Sequence, residues 1–284
     1  MNMKIIKYIS LVVVLALMAS CEKHLIEYDA EPIGDNIAEF QLHYMNPVSA
    51  VAANYINRVE VNGKMIANVK APLTTYNAIP KTDAGRFYTV NPGSVNFKLY
   101  FTTKLLPAAD SLVYDQNVTL TKGKQNVFVH DFNQPPIVFD NGYPYISRQT
   151  VETDSTTYVK FYNFLYETAG VPTTLKLQYQ YISHRTGEVV NIGPPVAFGE
   201  STGWQQVLLV KSDPLVNTRR IDYRIKVVDE AGNITGDLQI RNSSGKYVSY
   251  SDYWTGTIGR WVHHMIGGMR AASPACAVRV FTAK

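Results

Sequence analysis

The chain has 284 residues, of which 18% are charged and 46% hydrophobic, with 19 Tyr, 11 Phe and 3 Trp. That much apolar and aromatic material builds packed cores, which excludes global disorder, and two Cys exclude both a disulfide scaffold and a four-cysteine zinc site. The net charge of +4 has no basic block behind it and argues against a nucleic-acid partner.

Residues 1–20 read as a signal peptide. Lys4 and Lys7 precede an apolar run, Ile9 to Met18, interrupted by Ser10. Ten helical residues span about 15 Å, half of a bilayer core of roughly 30 Å, so the run is too short to cross. It ends in Met18-Ala19-Ser20-Cys21, which resembles the bacterial lipobox with Met18 at the usual leucine position. Cys21 is then the expected lipidation site, and two or more acyl chains, each contributing about 0.8 kcal/mol per buried methylene, give stable anchoring. An ordinary secreted protein is the plainer alternative. Glu22 does not resemble an inner-membrane retention signal, so the expected location is the outer membrane, on its periplasmic or cell-surface face. Residues 21–36 are the lipidated cysteine and an acidic tether, whose fifteen residues after Cys21 reach about 50 Å when extended.

From Ile37 the apolar residues recur with period two. Ala38, Phe40, Leu42 and Tyr44 alternate with polar neighbours. Arg58 to Val61 leads into Asn62-Gly63, a strong hairpin signal because both turn positions need positive φ. Asn91-Pro92-Gly93 is a turn before Val95, Phe97, Leu99 and Phe101. Val118 and Leu120 are expected to pair with Val127 and Val129 across Lys122-Gly123. Together these make about seven strands over residues 37–140. Residues 141–156 lack a period and read as a linker. The pattern restarts at Thr157 with Val159 and Phe161, and continues through Leu175 to Tyr181, Gln206 to Val210, Tyr223 to Val227, Leu238 to Arg241, Trp261 to Met265 and Ala277 to Phe281. Short strands with frequent turn signals indicate an all-β chain of two β-sandwiches, 37–140 and 157–284.

The stretch from Tyr223 to Asn233 resembles the late strand and hairpin of bacterial Ig-like and fibronectin-like modules. Ala38 to Asn46, Ala53 to Gly63, Asn91-Pro92-Gly93 and Val118 to Val129 are similar in order and spacing to lipid-anchored Ig-like envelope proteins of Bacteroidetes built from domains of unknown function. Thr157 to Asn163 resembles the start of a second copy. The resemblance implies two tandem Ig-like sandwiches in a cell-surface or periplasmic protein, and it carries over no catalytic residue.

Candidate chemistry is sparse. Gly199-Glu200-Ser201-Thr202-Gly203 matches the G-x-S-x-G nucleophile pattern, with Asp222 or Asp229 and then His263 or His264 following in hydrolase order. That pattern works on a strand–turn–helix elbow, whereas Trp204 to Val210 reads as a strand, so a hairpin tip is the simpler expectation. His263 and His264 are adjacent, and neighbours on a strand point to opposite faces, so no metal site is expected. Cys276 sits in an apolar run and reads as a buried small residue. No cofactor is indicated. The region Tyr247 to Trp261 reads as an aromatic loop in which Tyr250, Tyr253, Trp254 and Trp261 could stack on sugar rings, against the alternative that they pack in a core. Asp110-Ser111-Leu112 and Asp154-Ser155-Thr156 resemble short O-glycosylation signals, with Ser111 and Ser155 as acceptors in expected loops or linkers.

The reading is a non-enzymatic, lipid-anchored interaction or glycan-binding accessory module, with the membrane as one partner and a glycan or an envelope protein as the other. The alternatives are an assembly spacer that binds protein through a strand edge and a serine hydrolase using Ser201.

Overall fold

The computed structural model describes residues 36–80, 86–102, 110–141, 156–184, 186–209 and 218–283. Cys21, Ser155, the tether and most of the 141–156 segment lie outside them. The first half forms β1 (Ala38–Tyr44), β2 (Arg58–Val61), β3 (Lys64–Ala67), β4 (Asn77–Ile79), β5 (Tyr88–Val90), β6 (Gly93–Thr102), β7 (Asp110–Leu120), β8 (Gly123–Val129) and β9 (Ile137–Asp140). The second forms β10 (Thr156–Thr168), β11 (Val171–Pro172), β12 (Lys176–Ile182), β13 (Val189–Asn191), β14 (Ser201–Leu208), β15 (Thr218–Val228), β16 (Ile234–Asp237), β17 (Gln239–Arg241), β18 (Tyr247–Ser249), β19 (Ser251–Thr257), β20 (Trp261–Met269) and β21 (Ala277–Thr282). The chain is all-β.

Both halves are built on one plan. In the first, β1 runs parallel to β8, from Ala38 opposite Gly123 to Tyr44 opposite Val129. In the second, β10 runs parallel to β20, from Tyr158 opposite Trp261 to Tyr166 opposite Met269. The other edge of β1 is shared by β4 and β5, as that of β10 is by β11 and β14, while β9 and β21 flank the late strands. Each of these sheets faces a second one, ordered β3-β2-β6-β7 in the first half and β13-β12-β15-β16, with β19 also on β15, in the second.

Period-two side chains fill the space between each pair of sheets. Phe40, Leu42, Val59, Phe97, Leu99 and Val127 belong to the first core, and Val159, Phe161, Leu177, Ile221, Ile225 and Ile266 to the second. Each such side chain contributes about 1.5–3 kcal/mol on full burial. The opposite faces of the parallel pairs are buried as well. Met45, Phe128, Tyr162, Phe164, Met265 and Phe281 form a third core that joins the two halves.

This seam is also polar. His43 Nε2 lies 3.0 Å from Asn126 Oδ1, and Asn126 Nδ2 donates to Asn141 Oδ1 at 2.7 Å. Trp204 Nε1 donates to the Asn141 carbonyl at 2.6 Å and Lys160 Nζ to the Asp140 carbonyl at 2.9 Å. The Tyr162 hydroxyl lies 2.8 Å from His263 Nδ1, and the Tyr166 hydroxyl lies 2.8 Å from His130 Nδ1. A buried polar group costs free energy unless bonded, and the Trp204–Asn141, Lys160–Asp140 and Tyr166–His130 bonds run from one half to the other, which fixes how they meet. Asn141 and Thr156, expected in a linker, are buried parts of the fold.

Three expectations change. Among the described residues, the first half has nine strands rather than seven. β7 and β8 do not pair across Lys122-Gly123: β7 pairs β6 while β8 lies between β1 and β9, so the turn at Gly123 carries the chain from one sheet to the other. Tyr247 to Trp261 is not a loop but contains β18, β19 and the start of β20. Gly256 within it marks close packing: a Cβ there would stand 2.6 Å from Ile221 Cδ1 and 3.1 Å from Leu209 Cδ2.

Candidate functional site

Between Arg220 and Lys226, β15 alternates strictly. Ile221, Tyr223 and Ile225 point into the second core, which leaves Arg220, Asp222, Arg224 and Lys226 on the outer face. β19 lies beside it with Tyr253 opposite Asp222 and Ser251 opposite Arg224. Arg220, Asp222, Arg224, Ser251 and Tyr253, with Asp237, Ser249 and Asp252, line an open cleft of about 470 Å³. Arg220 donates from Nε and Nη2 to Asp222 Oδ1 at 2.9 and 2.8 Å, and its guanidinium lies 3.8 Å from the Tyr253 ring centroid. Lys226 Nζ pairs with Asp237 Oδ1 at 2.6 Å, and the hydrogen bond from Lys226 holds the Asp237 carboxyl below its ordinary range. Below them Tyr223 and Tyr250 touch through their hydroxyls at 3.3 Å, and the Tyr250 hydroxyl accepts from the Val278 amide at 2.9 Å. Burial holds both phenols protonated, with pKa values above the ordinary one.

The four aromatic candidates therefore divide. Tyr253 is 53% exposed and lines the cleft. Tyr250, at 7%, contributes to its floor. Trp254 and Trp261, at 6% and 5%, are core residues. Trp254 meets the edge of His264 at 4.7 Å, and Trp261 stacks on Tyr158 at 3.9 Å with the rings 7° apart. The strand period decides this: Trp254 pairs with the inward Ile221, and Tyr253 with the outward Asp222. Arg220, Arg224 and Asp237 were not singled out by sequence reasoning, and Asp222 was weighed only as a hydrolase acid, not as part of a binding cleft. The available signal was the run of charged residues of both signs, Arg220, Asp222, Arg224 and Lys226, at every second position of β15.

The other candidates are dispersed. Ser201 begins β14, opposite Tyr162 of β10, so it lies in an antiparallel ladder rather than on the strand–turn–helix elbow that exposes a nucleophilic serine. His263 faces the seam and bonds Tyr162, while His264 faces the second core, where its Nδ1 lies 2.9 Å from the Tyr179 hydroxyl. Among the described residues, no group of three or more His, Cys, Asp and Glu side chains is placed to hold a metal ion. Cys276 is buried, and burial pushes its thiol up to about 12, so it stays protonated. Ser111 is exposed, but it belongs to β7 opposite Phe101 and not to a loop.

No family model and no curated protein matches the chain. Among solved structures it is similar to the TIE protein of Bacillus anthracis, with 7% identity and a TM-score of 0.24 over 83% of this chain and 34% of that one. The chain thus spans about a third of that protein's length. It is also similar to a candidate cell adhesion protein of Bacteroides fragilis, with 10% identity and a TM-score of 0.23 over 86% and 97% of the two chains. A candidate adhesin of Bacteroides ovatus shows 9% identity and a TM-score of 0.18 over 86% and 95%. Similarity at this level leaves the function to be argued from the chain's own residues.

The cleft's residues suit reversible recognition. Guanidinium and carboxylate groups offer forked donors and acceptors, whose charge-assisted bonds are roughly twice as strong as neutral ones. A tyrosine ring adds an apolar face with a polar tip. Counting Lys226 on Asp237, three cations balance three carboxylates, so the cleft favours a polar ligand of low net charge.

Proposed function

We propose that this chain is a non-enzymatic, lipid-anchored protein of the bacterial outer membrane, held through Cys21, that binds a neutral glycan in the cleft of its second sandwich. The observation that carries the reading is the Arg220–Asp222–Tyr253 group, which presents a half-exposed ring beside forked polar groups on a rigid sheet. Sugar hydroxyls bond the guanidinium and carboxylate groups, and the apolar face of the sugar ring lies on the tyrosine. Signal peptide and anchor rest on the lipobox alone.

The test is retention on immobilised polysaccharides and titration with the neutral oligosaccharides that derive from them. Tyr253→Ala and Arg220→Ala should each weaken binding at least tenfold while moving the melting temperature by no more than a few degrees. Absence of binding by the wild type across a panel of neutral glycans would overturn the proposal. Docking of a protein strand is less favoured. β7 is a long sheet edge, but a bulge at Val113, where the register shifts between Leu99 and Tyr100, interrupts it. Bulges and charges at edges discourage strand addition, and Asp115 on this edge is paired with Lys98.

A further inference from the structure

The first sandwich has an opening of its own, of about 680 Å³, on the side where β3 ends one sheet and β4 and β5 end the other. Its apolar wall includes Ile66, Pro72, Ile79 and Pro80, and its cationic groups are Lys70 and Arg86. None of its described lining residues is an Asp or Glu. Among the described residues, neither cation has a carboxylate partner. The charge balance is therefore the reverse of the cleft on the second sandwich, where every cationic group has an acid close by.

The walls are held in place. The Tyr88 hydroxyl donates to the Ile66 carbonyl at 3.1 Å, which ties β5 to β3. The fully buried Gln41 donates from Nε2 to the Arg86 carbonyl at 2.8 Å, so the position of this arginine is set from the interior. Ile56 and Leu73 exchange two backbone hydrogen bonds of 3.0 Å, which fasten the segment carrying Lys70 and Pro72. Asn77 Nδ2 donates to Thr74 Oγ1 at 3.1 Å, and both residues line the opening. A preformed apolar wall with a few convergent polar groups is the usual form of a small-ligand site.

We propose that this opening binds an acidic saccharide of the uronate type. Its carboxylate lies between Lys70 and Arg86, its hydroxyls meet Asn77 and Thr74, and its ring covers the Ile79–Pro80 wall. The amide and hydroxyl side chains favour a sugar over an acyl chain. Met65 and Val69, which are exposed and adjacent in sequence to lining residues, make an anionic membrane surface the competing occupant.

The experiment titrates the mature full chain with trigalacturonate, with its methyl ester and with phosphatidylglycerol vesicles. Wild type should bind the acid, bind the ester at least tenfold more weakly, and lose affinity as salt rises. The exposed pair Lys70→Gln/Arg86→Gln should lose at least tenfold for the acid and still fold, and Tyr253→Ala should bind it like wild type, which separates this site from the cleft. Equal affinity for acid and ester would overturn the proposal, as would an unaffected double variant, loss of acid binding in Tyr253→Ala, or binding to vesicles without binding to the acid.

Discussion

Acidification should unfold this protein through its buried imidazoles rather than its carboxylates. His43 in the seam and His264 in the second core are fully buried, and burial lowers their pKa from 6.5 to about 4 and about 3. His263, on the seam side of β20, is held well below 6.5 by burial, then by the nearby His43 and Lys160. The unfolded chain therefore binds more protons than the folded one between these values and 6.5. The stability is whole above the unfolded value, falls as pH drops through the window, and levels off below the folded values. At about 1.36 kcal/mol per unit, His43 accounts for roughly 3 kcal/mol and His264 for roughly 5 kcal/mol. Their sum is comparable to the whole stability of an ordinary domain, about 5–15 kcal/mol. Urea unfolding between pH 7 and 5 should show stability decreasing by about 3–4 kcal/mol per pH unit below pH 6 if all three imidazoles contribute. That window lies above the ordinary carboxylate range near 4, so the two causes separate. His43→Gln should reduce the slope by about 1.4 kcal/mol per pH unit. A stability unchanged from pH 7 to 5, or a slope unaltered in His43→Gln, would refute the reasoning.

Neighbouring glycines on β20 should respond differently to alanine. Gly268 has φ +101° and its Cβ would stand 2.8 Å from the Cys276 Cα, whereas at Gly267 the obstacle is the Met45 methyl, also at 2.8 Å, which can swing aside. Gly268→Ala should cost more than about 3 kcal/mol and Gly267→Ala less than about 1.5, read from denaturant midpoints; equal losses would show that the seam does not pack as described. Trp254→Ala and Trp261→Ala should each cost about 3–5 kcal/mol, and Tyr253→Ala under about 1, so thermal melts alone should separate core rings from the surface ring. Cys21→Ala should move the protein from the membrane to the soluble fraction and abolish palmitate labelling; a variant still sedimenting with membranes would end the anchor proposal.

Much of the fold was legible because strands mark their own faces. Asn62 and Gly63 adopt φ of 50° and 77°, as the hairpin motif requires, and from Arg220 to Lys226 the side chains of β15 face inward or outward as their polarity directs. What period two cannot show is a strand covered on both sides. The alternate residues of β1, β8, β10 and β20 include His43, Asn126, Lys160 and His263, which read as solvent-facing yet are buried against the other half. The bonds that His43, Lys160 and His263 make run to Asn126, Asp140 and Tyr162, distant in sequence, and no local pattern encodes that. The cleft was half visible for the same reason. Tyr253 stood out as an aromatic, but its partner Arg220 comes from another strand, and Trp254 and Trp261 turn inward on a register fixed only by pairing.

The parallel pairing of β10 with β20 also has a consequence for the order of synthesis. The first half holds both members of its parallel pair by Val129, early enough to close while the rest of the chain is still emerging. The second begins at Thr156 with a strand whose neighbour arrives roughly a hundred residues later, a long-range contact of the kind that slows assembly. Until Trp261 to Met269 is made, β10 offers a sticky unmatched border on one side and the greasy back of the completed half lacks the cover of Met265 and Phe281. Deleting the last two strands should therefore yield an aggregating product rather than a shorter soluble one, and a holdase would have its work concentrated on that interval.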